Sequence, residues 1–294
     1  MKSNGLCIFA LSALQIVWLD ATYCQSVSDA KIKEEMSKQE SIYHGKGEQR
    51  PDGYTVDRSL WDYAQILSGD FDGTLANLGP NDRWLDIGAG TGQAILDYYD
   101  PGNDQPRLES RSRRGKKAKA VAMSIEDRRT SYWQQTAASL DAGQMQYLSS
   151  KRLREYSPEE LGKFQVITDV VGGFSYSVDL SLFMEKALAI LDVKGHFYTL
   201  LQDVQSEEGT NKPYYQNSPF LTEIKTSAGE DVKMCSWLKS ISCVQVTCEF
   251  KTPWKPPIEV YRIRKVCNEV KVPALTPIHY EAGTPPERRY QVKN

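Results

Sequence analysis

The sequence predicts an α/β fold: a doubly wound, mostly parallel sheet closed by an antiparallel hairpin. Three observations predict it. Short apolar strands alternate with amphipathic helices of roughly ten residues, the pattern of a parallel sheet covered on both faces. The first strand of this pattern, Trp84-Leu85-Asp86-Ile87, runs straight into Gly88-Ala89-Gly90-Thr91-Gly92, and a helix leaves the glycines at once. Near the C-terminus the pattern changes to two strands, Cys243 to Phe250 and Ile258 to Val266, joined by the Pro-rich turn Lys251 to Pro257.

Composition excludes several other classes. The 294 residues are 40% hydrophobic and 25% charged, which rules out a collagen, a wholly disordered chain, a coiled-coil rod and a dense disulfide scaffold. Lysine and arginine total 36 against 38 acids, a net charge of -2, so no global field draws the chain toward nucleic acid or an anionic membrane.

In chain order, the apolar stretch Leu6 to Leu19 follows Lys2 and is itself followed by small residues. It is shorter than the ~20 residues of a membrane span and suits the core of a secretory signal peptide, so residues 1–24 read as a leader. An uncleaved anchor or a buried first helix is the other reading. Residues 25–53 read as a polar linker, residues 54–272 as the α/β domain, and residues 273–294, with Pro277, Pro285 and Pro286, as an extended arm or strand-edge cover. Within the domain, Tyr54 to Leu78 carries helical apolar spacing with Asp57 as N-cap, and Gly79-Pro80-Asn81-Asp82 turns the chain into the first strand. Gln93 to Tyr99 reads as a helix, Ala118 to Ile125 as a strand and Asp127 to Ala142 as a helix. Met145 to Leu148 reads as a strand, Ser157-Pro158-Glu159-Glu160 as a helix start and Phe164 to Val171 as a buried strand. Leu180 to Leu191 is an amphipathic helix, His196 to Leu201 a strand, and a helix surrounds Trp237.

Four cysteines remain beyond the leader: Cys235, Cys243, Cys248 and Cys267. They suit one or two disulfides in an oxidising compartment, or four thiols in a β-rich core. A hairpin turn centred near Lys255 sets Cys243 opposite Cys267, where directly opposed Cβ atoms lie about 4.5–5.5 Å apart. That pairing leaves Cys235 and Cys248 for a second bond. With three histidines and no short paired cysteine spacing, no structural metal site is expected.

The strand-glycine-helix junction carries the chemistry. Glycines let the backbone approach a ligand closely, and the helix behind them offers free N–H groups. A tight structural turn is the plain alternative, but the position at the head of an alternating pattern points to a nucleotide-type ligand. The even spacing of Gly88, Gly90 and Gly92 differs from the dinucleotide fingerprint, and no Gly-Lys-Ser/Thr follows to make a phosphate-binding P-loop. Asp86-Ile87-Gly88-Ala89-Gly90-Thr91-Gly92 resembles the first motif of class I, Rossmann-like, S-adenosylmethionine-dependent methyltransferases. The likeness extends through Phe164 to Asp169, Leu182 to Leu188 and Lys194-Gly195-His196-Phe197. It covers roughly Tyr54 to Val266, and it implies a seven-stranded sheet whose last-inserted strand is antiparallel to the rest.

The resemblance implies the following roles. The cofactor is S-adenosylmethionine. Asp86 accepts hydrogen bonds at its methionine end, Gly88, Gly90 and Gly92 curve the backbone around it, and Asp169 lines the pocket near the adenine and the transferred methyl. The family usually places an acid at the end of the second strand to grip the ribose hydroxyls; in register that place falls to Ser124, with Glu126 two residues on as a substitute or a simple helix-start acid. Methyl transfer needs alignment and desolvation more than a strong acid or base, and no catalytic residue is assigned. Tyr176, after Gly172-Gly173-Phe174-Ser175, either orients an acceptor or packs. His196 reads as a core or edge residue. The acceptor, a small molecule or a protein, is not identified, and a non-catalytic binding protein on the same fold is the alternative function. The segment 107–119 holds seven basic residues against Glu109, and reads as a solvated loop or an anion-binding insertion.

Overall fold

The computed structural model describes residues 57–100, 117–202, 221–252, 257–281 and 287–293. All of them fall within the unit Asp52–Asn294. The leader, the linker, Tyr54, most of the basic segment 107–119 and Pro285 and Pro286 lie outside the described residues.

Seven strands form one sheet: β1 (Arg83–Ile87), β2 (Lys119–Met123), β3 (Met145–Leu148), β4 (Phe164–Asp169), β5 (Leu191–Leu201), β7 (Val244–Lys251) and β8 (Ile258–Lys265). Their order is β3-β2-β1-β4-β5-β8-β7. β1 to β5 pair in parallel, while β8 is antiparallel to both β5 and β7. This is the doubly wound, mostly parallel seven-stranded sheet with one antiparallel insertion. From Trp84 to Ile87 every residue of β1 is buried, as a central parallel strand requires, whereas β7 at the sheet edge alternates between half-buried and more exposed positions.

Successive side chains leave a strand on opposite faces, so the sheet has two cores. One face packs Trp84, Ala120, Val166 and Tyr198 under α1 (Leu60–Ile66), α2 (Phe71–Ala76), α3 (Gln93–Tyr99) and α4 (Ser131–Ala138). The other packs Leu85, Val121, Ile167 and Phe197 under α5 (Pro158–Leu161), α6 (Gly173–Tyr176), α7 (Leu180–Ile190) and α8 (Met234–Lys239). Among the described residues, no helix is long and apolar enough to cross a membrane.

Several elements differ from expectation, each for a local reason. The helical region ending at Leu78 is two short helices. Ser59, not Asp57, caps the first: its hydroxyl accepts from the Asp62 N–H while the Asp62 carboxylate accepts from the Ser59 N–H at 2.8 Å, a closed capping box. The helix expected from Asp127 begins only at Ser131. Thr130 caps it, and Glu126 and Asp127 instead hold Arg128 and Arg129 two residues on, a spacing that helical neighbours do not use.

The C-terminal segment is not an extended arm. β9 (Leu275–Glu281) and β10 (Glu287–Val292) pair antiparallel, and β10 pairs in parallel with β6 (Leu221–Lys225) in a second, three-stranded sheet. Leu275, Ile224 and Tyr290 from this sheet enter the α7-side core.

Both disulfides expected as candidates are present, Cys243–Cys267 and Cys235–Cys248. The register that predicted the first is off by one, since Val244 faces Lys265. Cys243 and Cys267 nevertheless meet, with Cα atoms 5.0 Å apart, because both lie past the paired strands and Cys243 turns through a φ of +61°.

Candidate functional site

The order of the strands reverses between β1 and β4. From β1 the chain steps outward to β2 and β3, then crosses to build β4 and β5 on the other side. In open α/β sheets the crevice outside the carboxyl ends of such a pair is where ligands bind. Gly88 to Gly92 lies there.

The loop is held open by backbone geometry that only glycine takes without strain. Gly88, Gly90 and Gly92 have φ values of +73°, +57° and +78°. The N–H groups of Gly88 and Ala89 both donate to the Met123 carbonyl, at 2.9 and 3.0 Å, which pins the loop to β2. Space excludes side chains as well. A Cβ on Gly88 would lie 2.7 Å from the Gly172 Cα, and one on Gly92 would lie 2.6 Å from Nε1 of Trp133. That indole N–H is buried without a hydrogen-bond partner. Gly88 itself is exposed, so the crevice opens above it.

Two buried carboxylates flank this loop on opposite faces of the sheet. Asp86 lies on the α1–α4 side, fully buried. Tyr63 donates its hydroxyl to both carboxylate oxygens at 3.1 Å, and Thr168 donates to one of them at 2.7 Å while accepting from the Trp84 indole at 2.9 Å. Burial pushes the Asp86 pKa up to about 7, against the opposing pull of the Thr168 and Tyr63 hydrogen bonds. Asp169 opposes Ile87, and so points to the α7 side. Its carboxylate accepts from the backbone N–H groups of Gly172 and Phe174, at 3.0 and 3.1 Å, which folds the post-β4 turn against Gly88. Burial again dominates, and its pKa is likewise pushed up to about 7.

On the β2 side, Ser124 follows the strand end and is half-buried, with its N–H on the Leu148 carbonyl at 2.9 Å. Glu126 is exposed and bonded to Arg128 at 2.6 Å. Ile125 between them is 54% exposed, one of the few large apolar side chains the described surface presents. Tyr147, from β3, reaches over to this edge and donates its hydroxyl to the Gly90 carbonyl.

The structure therefore gathers Asp86, Gly88, Gly90, Gly92, Ser124 and Asp169 around the carboxyl ends of β1, β2 and β4, and leaves Glu126 on an outer arm. Tyr63, Thr168, Trp133 and Tyr147 were not assigned to the site from sequence. They come from four different elements: strand register brings Thr168 and Tyr147 to the loop, and the packing of α1 and α4 on the sheet brings Tyr63 and Trp133. Tyr176 ends α6 half-buried, and His196 sits half-buried in β5, where burial lowers its pKa.

No protein-family model matches the chain, and no curated protein matches it. Solved structures do. A 1,6-didemethyltoxoflavin-N1-methyltransferase of Burkholderia thailandensis, with bound 1,6-didemethyltoxoflavin and S-adenosylhomocysteine, is 13% identical, with a TM-score of 0.46 over 82% of this chain and 90% of that one. The N-methyltransferase NodS of Bradyrhizobium japonicum, in complex with S-adenosylhomocysteine, is 10% identical, with a TM-score of 0.42 over 79% and 97%. An rRNA methylase of Streptococcus thermophilus is 11% identical, with a TM-score of 0.40 over 67% and 94%. The fold assignment rests on the strand order and register above.

Proposed function

We propose that the chain is an S-adenosylmethionine-dependent methyltransferase whose cofactor lies across Gly88 to Gly92. The observation that carries this reading is the loop at the strand-order reversal. Three left-handed glycines stand there, two with no room for a Cβ, below a crevice that opens at Gly88. The surroundings fit such a ligand: the buried acids Asp86 and Asp169 fasten the loops on either side of the crevice, and glycine backbone faces it. The cofactor supplies an activated methyl group, and direct displacement asks the protein to align the acceptor and exclude water. Gly172 to Tyr176 forms the acceptor side of the crevice in this reading, with Asp169 fixing the turn. The acceptor itself is a small molecule or a protein.

A non-catalytic binding protein on the same fold is the second reading. Ser124, standing where the resemblance implies an acid, favours it. So does the compartment: two disulfides support an oxidising environment, consistent with a leader at residues 1–24, and S-adenosylmethionine is made in the cytosol. Isothermal titration separates the two readings. Heat with S-adenosylmethionine or S-adenosylhomocysteine, abolished in Gly90→Asp, is the expected result. Cooperative unfolding with no heat from either ligand near millimolar concentration would sink the enzyme reading.

A further inference from the structure

The Cys235–Cys248 bond ties α8 to β7, and a carboxylate from a third element stands beside it. The two sulfur atoms and a carboxylate oxygen of Glu259, on β8, lie within 4.8 Å of one another. All three residues are half-buried, and among the described residues no other three cysteine, histidine or acidic side chains gather this closely. Tyr261 donates its hydroxyl to Oε2 of Glu259 at 2.6 Å and so orients the carboxylate. A disulfide has no proton to offer a carboxylate. Two thiolates and a carboxylate at this spacing would repel one another, and a divalent cation between them removes the repulsion.

The geometry suits zinc. Zinc holds thiolate sulfur at about 2.3 Å and carboxylate oxygen at about 2.0–2.2 Å in a tetrahedron, which sets ligand–ligand separations of about 3.6–3.8 Å. The Cys235 and Cys248 Cα atoms are 6.1 Å apart, so side-chain rotation can part the sulfurs to that distance once their bond is cut. The Glu259 oxygen then closes by about 1.2 Å at most. We infer that the reduced chain binds one zinc ion through Cys235, Cys248 and Glu259, with solvent completing the coordination. A dithiol reductant, itself oxidised to a disulfide, first converts the Cys235–Cys248 bond to two thiols. Zinc then displaces their two protons to solvent, and the Tyr261 hydroxyl stays on the ligating carboxylate. α8 and β7 are thus cross-linked in either setting, by sulfur in oxidising surroundings and by metal in reducing ones. No paired spacing announces the site, since its residues come from three elements. β8 and β7 lie beyond β5 from the glycine loop, so the site does not depend on what the crevice binds.

The test uses the full-length chain, reduced with a dithiol that is then removed without air, and Co²⁺ as the probe with Zn²⁺ in competition. One Co²⁺ per chain should bind with a thiolate-to-metal charge-transfer band that the oxidised chain does not show, and Zn²⁺ should abolish the band. Cys235→Ser and Cys248→Ser should each weaken both the band and the affinity. Glu259→Gln, which still accepts from Tyr261, should keep the band and bind about tenfold or more weakly, since even the hydrogen bonds that support metal ligands are worth about 10–100-fold. Its oxidised form should unfold at the wild-type midpoint. If reduction alone unfolds the chain, Zn²⁺ should restore its near-ultraviolet circular dichroism. A folded reduced chain with no band, or an unfolded one that Zn²⁺ does not refold, overturns the assignment. So does an affinity unchanged in Cys235→Ser or in Glu259→Gln.

Discussion

Replacing Gly88 by alanine tests whether the loop geometry or the mere presence of glycine matters. Two separable terms oppose the change. The residue holds a φ of +73°, and a left-handed conformation costs an L-residue about 1–2 kcal/mol. The new Cβ would also stand 2.7 Å from the Gly172 Cα. That atom belongs to the backbone, so no rotamer relieves the contact, and overpacking of this kind costs about 1–3 kcal/mol. The sum is about 2–5 kcal/mol, a large share of the stability of about 5–15 kcal/mol that domains usually have. Two glycines separate the terms within the same chain. Gly229 has a φ of +85° and open space around it, so Gly229→Ala should show the backbone term alone. Gly73 lies in α2 with neither constraint, and Gly73→Ala should be neutral or stabilising by up to about 1 kcal/mol. Urea unfolding of all three variants, with slopes checked for constancy, reads the differences directly. If Gly88→Ala loses no more than Gly229→Ala, the close approach of the two loops is not a constraint and the steric half of the reasoning is wrong.

Two further outcomes follow from the buried groups and the cross-links. Asp86 and Asp169 have folded-state pKa values raised to about 7 from an ordinary value of about 3.9, so the folded state holds their protons across that interval. Their contribution to stability is then greatest at low pH and falls as pH rises from about 4 to about 7; Asp86→Asn should flatten that decline, and urea titrations giving the same slope in wild type and variant would contradict it. Closing loops of 13 and 24 residues, each disulfide should contribute about 3 kcal/mol. Non-reducing peptide mapping should recover Cys235–Cys248 and Cys243–Cys267, and a chain whose unfolding midpoint ignores reductant would refute their structural weight.

The central architecture was legible because its signals are local and dense. β1 is buried from Trp84 onward and meets a glycine at every second position of the turn, so strand, loop and helix are punctuated in one short stretch. The small second sheet was illegible because its strand β9 carries a proline, which reads as a strand breaker. The register explains how it is tolerated. Pro277 pairs with Tyr290 and His279 with Arg289, so Ile278 is an extra residue opposite a register shift, and it is 51% exposed. A bulge absorbs the proline at a place where only the partner strand could announce it. The hairpin shows the converse case. Its strands were readable, but a one-residue error in register survived because the two cysteines lie beyond the paired region.

The site was legible as a list of residues and illegible as an arrangement, and the sheet's alternation explains the difference. Asp86 and Asp169 look equivalent in sequence, each an acid near the end of a buried strand. Pairing sets Asp86 beside Thr168 and Asp169 beside Ile87, so the two carboxylates leave on opposite faces and acquire different partners. Asp86 is covered by hydroxyls from Tyr63 and Thr168, and as placed it has no open face for a ligand. A direct bond from a ligand to Asp86 therefore requires the Tyr63 side chain to move. Asp169 is closed in the same sense by the N–H groups of its own turn. What faces the crevice is the glycine backbone and the half-buried edge from Gly90 to Ser124, where Tyr147 ties the glycine loop to the segment after β2 through one oxygen. The acids act first as fasteners of the loops on either side of the crevice. Substituting them should disturb stability and binding together.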